Sequence, residues 1–305
     1  MQLGFVSAIF GDLPLEEVLA FAGGEGYQCV EVMCWPSAKV DRPYGGVCHI
    51  DVTGFTQAQA DDIRAQCEKH RVTISALGYY ANALSEDANE AHVTRNHFRK
   101  VIDAAPLLGL KNVNGFIGAN RHQPLEENLK QFEQVWPDII RHAEDRGIKI
   151  GIENCPMLMP YTWPFGVNLA RSPAIWRHMF EKIPSPNFGL NLDPSHLVMQ
   201  LMDPVAPIRE FGPRIFHTHA KDMRIDRHLL NDVGSLVPPM SRSTAKIPGL
   251  GDVPWGQWVG ALTDAGYDGP VCVEVEDEAP VFHGTLEGRK RSLRISRNVL
   301  QPLIA

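Results

Sequence analysis

Short apolar runs alternate with longer amphipathic stretches along the whole chain of 305 residues. Residues 3–8 read as a first strand. Residues 14–26 follow as a helix, with Pro14 at its start and glycines closing it. The same alternation predicts strands at 28–33, 72–77, 112–117, 148–153, 188–193, 215–219 and 271–275. Helices are predicted at 56–70, 89–108, 125–145, 174–183, 205–211, 255–265 and 286–300. Eight strand–helix repeats imply a parallel sheet covered by helices, and a count of eight favours closure. The expected fold is α/β, a single (β/α)8 TIM barrel over residues 1–305 with long loops at the C-terminal mouth. An open doubly wound sheet would want a Gly-rich phosphate turn after the first strand. Ser7-Ala-Ile-Phe-Gly-Asp12 does not supply one.

Three segments depart from the repeat. Residues 34–53 are polar and rich in Gly and Pro, long for a strand-to-helix connection. Residues 155–173 are apolar and carry Met157, Met159, Tyr161, Trp163 and Phe165. Residues 223–250 form an insertion without clear periodicity, ending in Pro248-Gly-Leu-Gly251-Asp-Val-Pro-Trp255.

Composition narrows the partners. A net charge of −7 and a pI near 5.9 argue against a surface for a phosphate backbone, so no nucleic-acid partner is expected. No run approaches the ~18 apolar residues of a membrane span, and no charged start precedes an apolar stretch. The six cysteines are scattered with no CxxC spacing, which points to a reducing, cytoplasmic setting.

The candidate chemistry sits at strand ends, which a barrel gathers at one mouth. Glu153, Asp193, His219 and Glu274 end or follow four of the strands and would face one another across its centre. Three carboxylates and an imidazole suit Mn²⁺, Mg²⁺ or Co²⁺ better than structural zinc. Glu276, two residues on from Glu274, is the rival for the fourth ligand. His196 reaches substrate, holds a water or packs against the following turn. His217 shares the inward direction of His219 but lies a layer deeper. Lys221 and Asp222 bind a substrate oxygen or pair with each other. Glu31 hydrogen-bonds a sugar hydroxyl, supports a ligand or sits in an interior ion pair. Asn154 is placed to orient Glu153. Asn82 and His122 lie on mouth-side loops, as do His49 and Asp51. Trp35, Tyr161 and Trp163 offer aromatic faces to a sugar ring or to a lid or subunit contact.

Glu153 in Gly-Ile-Glu-Asn, Asp193-Pro-Ser-His196, His219-Ala-Lys-Asp222, Gly249-Leu-Gly251-Asp-Val-Pro-Trp255 and Glu274 with Glu276-Asp277 together resemble the xylose isomerase-like TIM barrel superfamily. The closer resemblance is to its sugar phosphate isomerase/epimerase branch, which includes ketose 3-epimerases and inosose dehydratases. The resemblance implies a divalent metal, Mn²⁺ first and Zn²⁺ among the others, on Glu153, Asp193, His219 and Glu274. It also implies that Glu153 and Glu274 exchange the substrate proton and that His196 contacts substrate oxygens. The matching activity is epimerisation or isomerisation of a keto-sugar or keto-polyol through an enediolate. The alternative is a lyase or dehydratase acting on an inosose or a 3-keto-glycoside, including C-glycoside cleavage. An arginine past the seventh strand grips substrate in the epimerases, and Arg224 is the candidate here. Relatives associate as dimers or tetramers, so a homo-oligomer is expected. The superfamily's DNA-repair endonuclease needs histidines at the second and third strand ends. This chain has Glu31-Val-Met-Cys-Trp35 and Leu77-Gly-Tyr-Tyr-Ala-Asn82 there. A non-enzymatic barrel that binds metal without exchanging protons is the remaining reading.

Overall fold

Strands buried on both faces must be apolar nearly throughout, and such runs pair in parallel when helices cover them. The computed structural model describes residues 1–36, 45–158 and 163–304. Its strands are β1 (Gln2–Val6), β2 (Cys29–Met33), β3 (Thr73–Tyr79), β4 (Asn112–Gly115), β5 (Lys149–Glu153), β6 (Phe188–Leu192), β7 (Ile215–Ala220), β8 (Asp222–Ile225), β9 (Ser243–Lys246) and β10 (Pro270–Val273). Eight of them close into a parallel barrel in the order β1-β10-β7-β6-β5-β4-β3-β2. The helices are α1 (Leu15–Gly24), α2 (Gln57–His70), α3 (Ala88–Leu107), α4 (Leu125–Glu144), α5 (Pro173–Lys182), α6 (Ser195–Met199), α7 (Ala206–Phe211), α8 (Arg227–Val233), α9 (Trp255–Asp264) and α10 (Leu286–Leu300). Among the described residues no helix is long and apolar enough to cross a membrane.

Local chemistry explains the boundaries. Thr56 and Gln59 form a capping box at the start of α2. Asp87 accepts the amides of Asn89 and Glu90 at the start of α3. The long α4 buries Phe132, Trp136, Ile139 and Ile140 on one face. The ring of Trp136 lies 6.3 Å from Phe188 of β6, tying the helix layer to the barrel. β10 stops at Val273, so Glu274 lies just beyond the strand rather than within it.

The insertion shows more order than its sequence pattern predicts. β8 and β9 pair antiparallel as a ribbon outside the barrel, Asp222 opposite Lys246 and Ile225 opposite Ser243, with α8 between them. Asp222 anchors its base. The carboxylate accepts the amides of Met223 at 2.8 Å, Gly249 at 2.9 Å and Val253 at 2.9 Å, and the indole N–H of Trp255 at 2.9 Å. A Cβ on Gly251 would collide with that carboxylate, which is why glycine stands there. Lys246, opposite Asp222, reaches Asp277 beyond β10 at 2.8 Å.

A candidate metal centre at the barrel mouth

Consecutive strand residues alternate between the barrel interior and the helix layer. On β7 that puts His217 and His219 inside, and Lys221 continues the parity at the mouth. Glu153 closes β5, Asp193 follows β6 and Glu274 follows β10. Ligand atoms of Glu153, Asp193, His219 and Glu274 all lie within 4.8 Å of one another. His219 Nδ1 is 3.4 Å from Glu153 Oε1 and 3.6 Å from Glu274 Oε2.

Neighbouring amides fix this arrangement. Asn154 accepts the Asp193 amide at 2.7 Å and donates to the Asp193 carbonyl at 2.9 Å, locking the ends of β5 and β6 together. Its partner is thus Asp193 rather than Glu153. Asp193 Oδ1 accepts the Ser195 amide at 2.7 Å, at the start of α6. Asp193 Oδ2 and His219 Nδ1 are buried and make no hydrogen bond. Buried polar atoms left without a hydrogen bond are costly, even where, as at Asp193 Oδ2, the nitrogens of Lys221 and His196 stand 3.3 and 3.4 Å away. Here the two atoms border one small volume together with two more carboxylates, and three carboxylates and one imidazole suit a hard to borderline divalent cation. The residues fit a divalent metal.

Lys221 is 1% exposed. Its Nζ lies 2.5 Å from Glu274 Oε2, 3.0 Å from Glu276 Oε2 and 3.3 Å from Asp193 Oδ2. Burial pulls its pKa down, but the charges of Glu274, Glu276 and Asp193 outweigh it and hold the ammonium well above its usual range. Glu274 shows the reverse balance. Burial raises it, the Lys221 ammonium overcomes that, and the carboxyl comes to about 2. Burial likewise opposes ionisation of Glu153, and His219, His196 and Lys221 together hold it well below the carboxylate range. His219 is drawn down by burial and pushed further up by Glu31, Glu274 and Glu153.

His196 stands against two of the four, its Nε2 3.3 Å from Glu153 Oε1 and 3.4 Å from Asp193 Oδ2. His217 lies a layer deeper, with Nδ1 3.0 Å from Asn191 Oδ1 and Nε2 3.0 Å from Ser75 Oγ. Glu31 is buried against His219. Its Oε2 is 2.6 Å from His219 Nε2, and its Oε1 accepts the Tyr80 hydroxyl. Glu276 is the more exposed of the two glutamates after β10 and meets Lys221 from outside.

The other expected contacts have the following surroundings. Asp222 is consumed by the ribbon anchor and leaves no oxygen for substrate. Asn82 spends its amide on the Leu84 amide and on both backbone groups of Ala119, joining the loops after β3 and β4. His122 is exposed beside Glu86. Arg224 is exposed on β8. Trp35 is buried edge-on against Tyr79, so its ring serves the core. His49 links Ser7 to the Phe10 carbonyl, and Asp51 caps the Thr53 amide. Trp163 is partly exposed on the loop after β5; Met159 and Tyr161 lie outside the described residues. Sequence reasoning passed over Tyr80 and Asn191, although Asn191 shares the inward parity of Asp193.

Residues 19–300 match the family model described as a xylose isomerase-like TIM barrel. The chain belongs to that family. YfiH of Bacillus subtilis (strain 168), an uncharacterised protein, is 28% identical over 313 residues, spanning 91% of this chain and 93% of its own. Among solved structures, the IolI protein with a bound zinc atom superposes at a TM-score of 0.74 and 18% identity, covering 100% of both chains. A D-psicose 3-epimerase determined in the presence of D-fructose gives 0.69 at 17% identity, covering 98% of this chain and 99% of its own. At such identities the superpositions establish a shared fold.

Proposed function

We propose that this family member is a divalent-metal-dependent isomerase or epimerase acting on a keto-sugar or keto-polyol. One observation carries the reading: four ligand-bearing side chains from four strand ends converge within 4.8 Å, two of them with buried atoms left without hydrogen bonds. The zinc in IolI and the sugar chemistry named for the epimerase agree with it. A bound divalent ion, Mn²⁺ as the first candidate, would supply Lewis-acid polarisation of a carbonyl and its neighbouring hydroxyl.

The protein's own residues would then handle the proton. Glu153 and Glu274 come from β5 and from beyond β10, with β6 and β7 between them, so they approach a bound sugar from different sides. Both are held ionised, Glu274 chiefly by Lys221 and Glu153 chiefly by His219. Each is thus unprotonated and placed to take a proton from the carbon beside the carbonyl and to return it, a weak base that relies on a bound cation to acidify that C–H. His196 faces the same space at Glu153 and Asp193 and would hold a substrate oxygen. Lys221 would steady the negative charge that develops beside Glu274.

The test is deuterium uptake from D₂O into a panel of keto-sugars and inososes, followed by NMR on protein of measured metal content. Label entering beside the carbonyl supports the reading, and the product spectrum separates an epimer from an eliminated alkene. Glu153→Gln should lower exchange by about 10²–10⁴-fold. Exchange at the wild-type rate would remove Glu153 from the chemistry, and a protein that binds no metal would remove the centre.

A further inference from the structure

An imidazole offers a metal one nitrogen, and the hydrogen bond at the other decides which. His219 Nε2 lies 2.6 Å from Glu31 Oε2, with both side chains fully buried. Asn191 Nδ2 and the Tyr80 hydroxyl also approach that nitrogen, at 3.0 and 3.3 Å. The carboxylate contact is the shortest and the charge-assisted one, so the Nε2 proton belongs to it. Asn191 then directs its amide hydrogen to the Tyr80 oxygen at 3.0 Å, and Tyr80 donates to the second oxygen of Glu31. The carboxylate is held at both ends. That leaves Nδ1, which makes no hydrogen bond, on the side of Glu153 and Glu274.

We propose that Glu31 is the positioning residue of the metal centre: its carboxylate takes the Nε2–H of His219 and presents Nδ1, lone pair outward, to a divalent cation. This rests on the metal-binding reading above. Glu31 comes from β2, on the far side of β1 and β10 from β7, so it acts through His219 and touches neither cation nor substrate. The same side chain belongs to a second cluster, Glu31, His217 and His219, whose ligand atoms also lie within 4.8 Å of one another. There the facing atoms are already hydrogen-bonded: His217 to Asn191 and Ser75, Glu31 to His219 and Tyr80. A support for one ion explains that cluster better than a second ion does.

The experiment is a calorimetric titration of chelator-stripped full-length protein with Zn²⁺, for wild type, Glu31→Gln and Tyr80→Phe. Loss of a partner to a ligating histidine weakens metal binding by about 10–100-fold. That loss is expected in Glu31→Gln at one equivalent per chain, with a smaller loss in Tyr80→Phe. Nitrogen-15 NMR of the Zn²⁺-loaded wild type supplies a readout that needs no variant: His219 should be protonated at Nε2 and bound through Nδ1. Wild-type affinity in a folded Glu31→Gln protein would overturn the assignment, as would Zn²⁺ on Nε2. So would a second equivalent that disappears in Glu31→Gln. A wild type that binds no Zn²⁺ would instead overturn the metal reading, a separate result.

Discussion

Lys221→Met tests the charge balance of the site most directly, because it removes a buried cation and nearly preserves volume. The ammonium lies within 3.3 Å of oxygens on Glu274, Glu276 and Asp193. Without it, and without a metal, the carboxylates of Glu274, Glu276 and Asp193 face one another with no cation between them. Removing one partner of a buried ion pair costs about 3–5 kcal/mol, since the stranded charge has lost its compensation. At the entropy of unfolding typical per residue, that corresponds to a drop of about 5–8 °C in Tm for a chain of this length. A divalent cation offsets the same repulsion, and at 1,000 times its Kd it adds about 4 kcal/mol of its own. In the wild type the incoming ion must share Asp193 and Glu274 with the ammonium. In Lys221→Met it does not. The thermal melt of chelated Lys221→Met should therefore fall by about 5–8 °C, and added Mn²⁺ should raise the variant more than the wild type. The assay is differential scanning fluorimetry with and without chelator. A chelated variant that melts with the wild type, or equal stabilisation of both by the metal, would refute the reasoning.

Asp222→Ala leaves the buried donors of Met223, Val253 and Trp255 without an acceptor and should cost about 3 kcal/mol or more, read as a large fall in Tm. An unchanged Tm with a raised KM would return Asp222 to the substrate. His49 and His97 are both held below their ordinary value of 6.5, chiefly by burial, so the unfolded chain binds more protons below that pH. Their contribution to stability is complete above about pH 6.5 and is lost on acidification, at up to ~1.4 kcal/mol per pH unit for each ring. Urea melts between pH 7.5 and 5.5 should accordingly show a shallower acid-side loss in His49→Gln than in wild type, and parallel profiles would count against this account.

The barrel was legible because its signal is local. Eight apolar runs separated by amphipathic helices predict the strand order without any knowledge of contacts, and the strand ends mark Glu153, Asp193, His219 and Glu274. Two errors have physical origins. Asp222 was paired with Lys221 as a substrate contact, yet the period of two that turns His217, His219 and Lys221 inward turns Asp222 the other way. The ribbon escaped notice because β8 and β9 have four residues each, too few for alternation to rise above noise. Glu31 remained ambiguous for a different reason. Its partner His219 lies 188 residues away, and nothing in the local pattern of β2 says which distant imidazole closes on it.

The interior of the barrel shows why that contact matters. A barrel core is ordinarily filled by branched apolar side chains, and substituting polar groups there destabilises unless each finds a partner. This chain sets a continuous series of hydrogen bonds below the mouth. Ser75 meets His217, His217 meets Asn191, Asn191 meets Tyr80, Tyr80 meets Glu31 and Glu31 meets His219. Every link is satisfied until His219 Nδ1, where the series opens toward Asp193 Oδ2, also without a hydrogen bond. A network built only for stability would close on itself, and hydrocarbon would serve that purpose better. One that is complete beneath its top and open at its top fixes the direction of a ligand. On this reasoning we propose that the polar residues of the lower layer orient His219 for a divalent cation at the mouth.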